Sequence, residues 1–439
     1  MTDMTSGAFS DPNKTPPLQE AVPLGLQHVL AMFASNVTPA IIVAGAAGLA
    51  FGGAEQVYLI QMAMLFAGIA TLFQTVGLGP IGARLPIMQG TSFAFVGVLA
   101  GVAATQGLSV ALTACLIGGA IHFLLGGVIQ HLRFLFPPLV TGLVILAIGL
   151  YLIPVAIKYA AGGAASFQME AESFGSMMHW SVALCVVLVS LILKFFTKGI
   201  ISNAAILIGL VAGYVLAFAL GMVNFGAVSK AAVFMVPQAF PYGFEFSLGA
   251  VIAVTLVSIV SAIETVGDAS ATTKAGAGRE ATDAEISGAT YADGLGTAVA
   301  AVFGGLPNTS FSQNVGIVGM TGIMSRHVVT IGALFLIVCG LLPKVGAIIA
   351  SMPLPVLGGG VIVMFGMVAA AGLNVLSEIN MNRRNMVIIA VSLAVGLGLN
   401  LVPSAVQYLP GVVKTLMTSA VAPTALVAIV LNLVLPDEI

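Results

Sequence analysis

Three carboxylic acids lie inside apolar stretches of this chain. Glu264 and Asp268 occur four residues apart in one such stretch, and Asp293 occurs in the next. In a helix running from about residue 247 to residue 273, this spacing would put Glu264 near mid-depth, with Asp268 on the same face one turn nearer the cytoplasm. An ionised side chain at the centre of a bilayer costs roughly 2.5–3.5 kcal/mol. We therefore expect at least one of the three acids to hold a proton in some state, unless each merely hydrogen-bonds a neighbouring helix.

A second chemical feature is a glycine-interrupted segment, Gln313–Gly322, with two amides at what should be the middle of a membrane. The residues before it, Asn308-Thr-Ser-Phe311, resemble Gly90-Thr-Ser-Phe93 about 220 residues earlier. Two such segments in corresponding halves of an apolar chain are typical of a transporter built from repeats around a central binding site.

Backbone that leaves a helix at mid-depth must line a cavity or be buried in protein. We predict a short strand followed by a half-helix for each copy. The free backbone groups of Thr91-Ser92-Phe93 and Thr309-Ser310-Phe311, together with Gln313, would provide donors and acceptors. Phe93 and Phe311 would provide ring faces. Such a site suits a flat heteroaromatic ligand with lactam edges. The alternative for each phenylalanine is core packing.

Composition defines the class of protein. Of the 439 residues, 59% are hydrophobic and only 7% are charged, against roughly 25% charged in a soluble domain. Apolar runs of about twenty residues favour membrane-spanning helices over the alternating short strands of a barrel. The net charge of −2 says nothing about partners, and no nucleic-acid partner is expected.

The chain is predicted to be an all-α polytopic membrane protein with about fourteen spans. The third and tenth spans are the broken ones. A second internal match, Pro138–Gly149 with Pro355–Gly366, has nearly the same offset as the first. An odd number of spans in each repeat makes this a seven-plus-seven inverted repeat, which favours alternating access. Ten of the fourteen Lys and Arg residues fall on the side of the N-terminus, so both termini are predicted to be cytoplasmic.

Other candidates are weaker. His28 lies in the first span, where it could hydrogen-bond the site or a neighbouring helix. The other four histidines fall near span ends and are expected at the membrane interface: His122, His131, His179 and His327. No Cys/His ligand cluster, nucleophile elbow or HExxH motif occurs, so we expect no enzyme activity, metal site or cofactor.

The chain resembles the nucleobase–ascorbate transporter family, also called nucleobase–cation symporters. The family signature begins Gln/Glu-Asn-x-Gly and ends in Thr plus a basic residue or Gly; the matching residues here are Gln313, Asn314, Gly316, Thr321 and Gly322. Supporting matches are Glu264-Thr-Val-Gly-Asp268, Asp293, Gly25-Leu-Gln-His28 and Thr91-Ser-Phe93. The similarity covers essentially the whole chain after the first ~20 residues.

The resemblance implies two domains and a dimer. Residues 1–19 would be a disordered cytoplasmic tail. The core domain would comprise residues 20–131 and 230–350 (spans 1–4 and 8–11). The gate domain, which pairs two subunits into a homodimer, would comprise residues 132–229 and 351–439 (spans 5–7 and 12–14).

The resemblance also implies roles for individual residues. Glu264 and Gln313 would bind the base through their side chains. Phe93 and the Phe311/Ser312 region would contribute backbone hydrogen bonds and stacking. The remaining family positions would tune the site or carry the coupling: Asn314, Asp268 and Asp293.

Gln313 and Asp268 resemble the xanthine and uric acid branch of the family, whose members import a purine by cation symport across the cell or inner membrane. Uracil transporters more often carry Glu and His at these positions. The coupling ion is H⁺ or Na⁺, with H⁺ the usual choice of bacterial relatives. An anion exchanger or channel of the same architecture is the other alternative, although it would lack Glu264 or carry a basic residue near the half-helix ends.

Overall fold

The structure is a computed structural model that describes residues 10–132, 137–163, 166, 167, 169 and 171–436. These residues form helices and one two-stranded sheet. The elements of the first half are α1 (Leu18–Ala46), α2 (Ala54–Thr75), β1 (Gln89–Thr91), a 3-10 turn (Phe93–Phe95), α3 (Val96–Gln106), α4 (Leu108–Leu125), α5 (Ile129–Leu132), α6 (Pro138–Ala160), α7 (Met177–Phe196), α8 (Gly199–Asn203), α9 (Ala205–Ala219) and α10 (Gly226–Lys230). The elements of the second half are α11 (Leu248–Ala277), α12 (Asp283–Val302), β2 (Asn308–Ser310), α13 (Ser312–Thr321), α14 (Arg326–Leu341), α15 (Pro343–Ala350), α16 (Leu354–Ser377), α17 (Arg383–Leu401), a 3-10 turn (Pro403–Val406), α18 (Gly411–Met417) and α19 (Val421–Val434).

The approximate centres of the fourteen predicted spans all lie in helices: Ser35, Leu65, Val96, Gly118, Ile145, Val189, Tyr214, Ser258, Thr297, Gly316, Ile337, Met364, Val391 and Val427. Within the described residues, eight helices are long and apolar enough to cross a membrane: α1, α2, α4, α6, α7, α11, α16 and α17. A ninth span results if α14 and α15, which meet at 80°, are counted as one. The helices α9 and α19 are apolar but shorter. The arrangement of fourteen spans in two inverted halves stays a prediction.

The two broken segments pair with each other. β1 and β2 form an antiparallel ladder in which Gln89 faces Ser310, Gly90 faces Thr309 and Thr91 faces Asn308. Two further bonds extend the ladder, from Ser92 N–H to the Pro307 carbonyl (2.9 Å) and from Phe311 N–H to the Met88 carbonyl (3.0 Å). Each strand is followed by a short helix, α3 or α13, as the sequence predicts.

Side chains from neighbouring helices satisfy the outer edges of this sheet. Thr71 of α2 accepts a hydrogen bond from Gln89 N–H at 2.9 Å. Thr297 of α12 accepts from Asn308 N–H at 3.0 Å and donates to the carbonyl of the same residue at 3.1 Å. Asn36 of α1 accepts from Thr91 N–H at 2.8 Å and donates to the Ala63 carbonyl at 3.1 Å. These bonds pair backbone groups on the outer edges of a buried two-stranded sheet, where lipid could not pair them.

Glycines bring the helices around the sheet into backbone contact. A Cβ at Gly119 of α4 would collide with Ala298 of α12, and one at Gly294 of α12 would collide with Phe123 of α4. Small residues at helix contacts allow this approach where lipid gives no hydrophobic drive for association. α4 and α12 are therefore held at a separation that larger side chains would not permit.

The N-terminal segment is attached to the rest of the protein. Arg326 N–H donates to the Pro12 carbonyl (3.0 Å) and its Nε donates to Asn13 Oδ1 (3.0 Å), while the Ser325 hydroxyl donates to the Lys14 carbonyl (2.6 Å). Arg326 also donates to the Thr75 carbonyl at the end of α2 (2.7 Å). The tail predicted as disordered over residues 1–19 thus has defined contacts in its second half and enters α1 at Leu18; residues 1–9 lie outside the described residues. Local composition could not reveal this segment, since its partners are more than 300 residues away.

We predict that deleting residues 2–14 lowers the thermal stability of the purified protein in detergent, because α14 loses three hydrogen bonds at its first turn. With about 0.5–1.5 kcal/mol for each bond, the loss should be on the order of 1–4 kcal/mol. Deleting residues 2–9 alone is the matched control and should leave the melting temperature unchanged. Equal melting temperatures for both deletions would contradict this role of Pro12–Lys14.

Candidate functional site

Asp293 is the centre of a buried hydrogen-bond network. Its carboxylate accepts from the amide nitrogens of Gln74 (3.0 Å) and Gln89 (2.5 Å) and from the Thr265 hydroxyl. These partners lie on α2, β1 and α11, and Asp293 itself is fully buried on α12. Several donors to one carboxylate offset much of the cost of burying it. Asp293 therefore joins four elements, as its predicted supporting role requires.

Both the nitrogen and the oxygen of the Gln74 side-chain amide form hydrogen bonds. Its amide nitrogen also donates to the Ala289 carbonyl (2.9 Å), and its amide oxygen accepts from Ala83 N–H (3.1 Å). These bonds orient the amide so that its N–H₂ group faces Asp293. The sequence analysis missed Gln74, Gln89 and Asn36, although a polar residue inside an apolar span is the signal that could have identified them.

Asp268 connects α11 to the second broken segment. Its two carboxylate oxygens accept from the hydroxyls of Ser310 (2.6 Å) and Ser312 (2.7 Å). Ser310 ends β2, and Ser312 begins α13. Negative charge beside the N-terminus of a helix is favoured by the helix dipole. The three predicted residues Asp268, Ser312 and Gln313 are thus brought together.

Glu264 and Gln313 lie on either side of this connection. Glu264 precedes Asp268 by one helical turn and is half-buried, whereas Gln313 follows Ser312 and is exposed. Within the described part of the chain, the Glu264 carboxylate has no hydrogen-bond partner or ion pair. An added Cβ at Gly267 or Gly316 would meet no atom within 4 Å, so the space beside both helices is open. We call the space beside Glu264, Gly267, Gln313 and Gly316 the acid cleft.

His28 and Asn314 form a second link to α13. The amide nitrogen of Asn314 lies 3.0 Å from His28 Nδ1 and 3.0 Å from the His28 carbonyl oxygen. An amide nitrogen only donates, so Nδ1 accepts and the neutral imidazole carries its proton on Nε2. Both side chains are buried, which ties α1 to the first turn of α13 beside Gln313.

The two predicted ring residues occupy different surroundings. Phe93 is half-buried at the start of the 3-10 turn, with its ring at 89° to that of Phe365 on α16 and a centroid distance of 5.2 Å. The Phe311 ring is buried in a cluster with Met32, Met88 and other apolar side chains. It therefore packs under the sheet, as the core-packing alternative describes. Ser92 is also buried, with its N–H engaged in the strand ladder.

His122 differs from the expectation for histidines near span ends. Its side chain is fully buried between helices and is not exposed at an interface. The mistake arises because position along the chain predicts depth along a helix, but not which face of the helix packs against neighbours.

A cavity of about 880 Å³ lies elsewhere. It surrounds the N-terminal end of α2 and the segment that follows α9. Its lining includes Glu55, Tyr58, Lys230 and Tyr242. None of the three buried acids lines it. We place the site at the acid cleft because carboxylates removed from water need a functional or structural reason, whereas volume alone does not.

A multi-span helical protein whose two broken segments meet beside buried acids is a membrane transport protein. The model of a permease family, Xan_ur_permease, matches residues 19–405. This chain belongs to that family, the nucleobase–ascorbate transporters, in its xanthine and uric acid permease branch.

Curated relatives agree with this assignment, and a solved structure shares the fold. Uric acid permease PucK of Bacillus subtilis is 37% identical over 411 residues, covering 93% of this chain and 94% of the relative. Xanthine permease XanP of Escherichia coli is 34% identical over 442 residues, with coverage of 96% and 93%. The fold is similar to that of the transmembrane domain of the cyanobacterial bicarbonate transporter BicA, with a TM-score of 0.60, 14% identity, and coverage of 95% and 98%.

We predict that Gln74→Leu destabilises the protein more than Gln89→Leu does. Both remove one donor to Asp293, but only the first also leaves the Ala83 N–H unpaired and removes a second hydrogen bond from the helical Ala289 carbonyl. Each unsatisfied buried group costs about 1–3 kcal/mol, so the difference should be of that order. Thermal unfolding of both variants in one detergent measures it, and an equal effect would show that the bonds to Ala83 and Ala289 contribute nothing.

Proposed function

We propose that this chain imports a purine base, xanthine or uric acid, by proton symport, with the base bound in the acid cleft. The observation that supports the proposal is the Asp268–Ser312 hydrogen bond, which joins the helix that carries Glu264 to the first turn of the helix that carries Gln313. The names of the relatives XanP and PucK support a purine of this class.

The chemistry of the cleft suits a flat base with lactam edges. Gln313 offers one donor and one acceptor side by side, which matches the N–H and C=O of a lactam. Glu264 offers acceptors to the remaining N–H groups. The first N–H groups of α13 have no intrahelical partner and provide further donors. The half-buried Phe93 ring begins the 3-10 turn that follows β1 in the other broken segment. A stacking partner for the base would be expected there.

Proton coupling is proposed from the difference among the three acids. Asp293 and Asp268 are held by donors, whereas Glu264 has no partner in the described residues. A carboxyl group without a partner can take up a proton without breaking a hydrogen bond, and binding of a base can then be linked to binding of a proton. Glu264 is therefore the proposed proton carrier, with Asp268 and Asp293 in support and Na⁺ as the alternative ion.

The division into two domains and the motion between them are also part of the proposal. A core domain of residues 20–131 and 230–350 would move against a gate domain of residues 132–229 and 351–439 to give alternating access. Phe93 and Phe365 would then touch across the boundary between the two. Dimerisation through the gate domain and cytoplasmic termini follow from the family resemblance and the distribution of basic residues.

An anion exchanger is the second candidate, because the fold is similar to that of a bicarbonate transporter. Two features of the cleft argue against it. Glu264 would repel an anion, and neither α3 nor α13 carries a Lys or Arg to attract one. A carboxylate next to an amide instead favours a neutral ligand rich in N–H groups.

We predict that Glu264→Gln abolishes accumulation of xanthine, because the amide neither titrates nor offers a charged acceptor. Uptake into sodium-free proteoliposomes, with the outside made acidic, measures it. Wild-type uptake should be concentrative and should collapse with a protonophore, and Glu55→Gln, an exposed acid far from the cleft, should behave as wild type. Uptake driven only by a sodium gradient would overturn the choice of ion, and normal accumulation by Glu264→Gln would remove Glu264 from the mechanism.

We also predict that Gln313→Glu changes which bases compete with xanthine. An ionised glutamate presents acceptors only, so the donor facing a ligand carbonyl becomes a repelling oxygen, at a cost of about 1–3 kcal/mol. Competition by a panel of purines and pyrimidines measures the change, with Gln407→Glu in an exposed turn as the matched control. An unchanged ranking would show that Gln313 does not contact the edge of the base.

A further inference from the structure

His122 points into the junction of three helices. Gly118 of α4 packs against Val254 of α11, and Gly119 packs against Ala298 of α12. On a helical wheel His122 falls between the directions of these two glycines. Its side chain is therefore directed between α11 and α12, and its exposed fraction is 0%.

The register of the helices gives the level at which His122 lies. Glu245 N–H donates to the Thr113 hydroxyl (3.1 Å), and Gly118 approaches Ser258 further along both helices, so α4 and α11 run in the same direction. One turn further along α4, His122 lies at the same height along the helix axes as Ser261 of α11. Thr265, which donates to Asp293, follows Ser261 by one turn.

Two polar side chains at this level have no partner. Neither ring nitrogen of His122 has a hydrogen-bond partner within the described residues, and the same holds for the Ser261 hydroxyl, which is also 0% exposed. Buried polar groups are nearly always satisfied, and an unsatisfied one costs free energy without stabilising the fold. A fully buried imidazole with both nitrogens unpaired therefore indicates a small polar ligand or a function.

We propose that His122 and Ser261 bind a water molecule that hydrogen-bonds toward the Thr265–Asp293 pair. His122 would then be a positioning residue for the hydrogen-bond network around Asp293. A neutral imidazole offers one donor and one acceptor and the serine hydroxyl offers both, which matches the two to four partners that a buried water needs. The part of the proposal that concerns transport rests on the proposed proton symport.

The ionisable groups around His122 are few. Of the ionisable groups on the two helices packed against it, Glu264 and Asp268 on α11 and Tyr291 and Asp293 on α12 are nearest to its level. Three others lie at the ends of these helices: Lys274, Asp283 and Glu285. Besides His122, α4 carries only Cys115, and α3 carries none. Loss of the water would remove a donor that favours the charged form of the Asp293 carboxylate. The network would then release its proton less readily.

His122→Leu and His122→Gln test this role. Leucine fills the junction but cannot hold water, whereas glutamine keeps one donor and one acceptor. We expect the proton concentration at half-maximal xanthine uptake to fall by about threefold or more in His122→Leu and to return toward the wild-type value in His122→Gln. The melting temperature of His122→Leu should stay close to that of wild type, because the buried imidazole and its water are replaced together by an apolar side chain that fills the junction.

A second measurement does not depend on transport. Solid-state NMR of ¹⁵N-histidine protein in liposomes should give a ring signal that exchanges magnetisation with water and is lost in His122→Leu. Absence of water contact, together with the same pH profile in all three proteins, would overturn the proposal. If wild-type protein takes up no purine under any gradient, the proposed symport fails, while the NMR signal still decides whether the water site exists.

Discussion

The structure depends on the requirement that no backbone amide group be left unpaired inside a membrane. Two segments leave the helical conformation, and each exposes N–H and C=O groups that lipid cannot satisfy. The ladder between β1 and β2 pairs one edge of each strand. Thr71, Thr297 and Asn36 pair groups on the outer edges. α2, α12 and α1 are therefore fixed around the sheet by hydrogen bonds, and close glycine contacts between α4 and α12 complete the enclosure.

The acid network is built onto this sheet. Asp293 accepts from the side chain of Gln89 in β1, and Asp268 accepts from Ser310 at the end of β2. Each strand is thus connected to a carboxylate on α11 or α12. A proton gained or lost by either acid would change hydrogen bonds to the strand from which a half-helix begins. Chemistry at the acids and the geometry of the binding segments are in this way mechanically linked.

Much of this arrangement could be predicted from the sequence, and the rest could not, for a physical reason. Apolar runs located the helices, and the glycine- and hydroxyl-rich repeats located the broken segments, including Gln313. Acids inside apolar runs identified Glu264, Asp268 and Asp293 as candidates. Local pattern does not encode which segments pair over a long range, so the β1–β2 ladder, the donors Gln74 and Gln89, and the contact of Pro12 with Arg326 were missed. The burial of the Phe311 ring and of His122 depends on which face of an element meets its neighbours, and periodicity is weak in helices that are apolar all round.

The ladder between β1 and β2 has a consequence for how the chain is made. Its two strands are about 220 residues apart in the sequence, so β1 emerges from the ribosome long before its partner exists. At 5–20 residues per second, the delay is about 10–45 s. During that interval β1 has no ladder partner, and a contact of such high sequence separation forms slowly. The binding segment of the first half therefore takes its final form only after the second half has been synthesised.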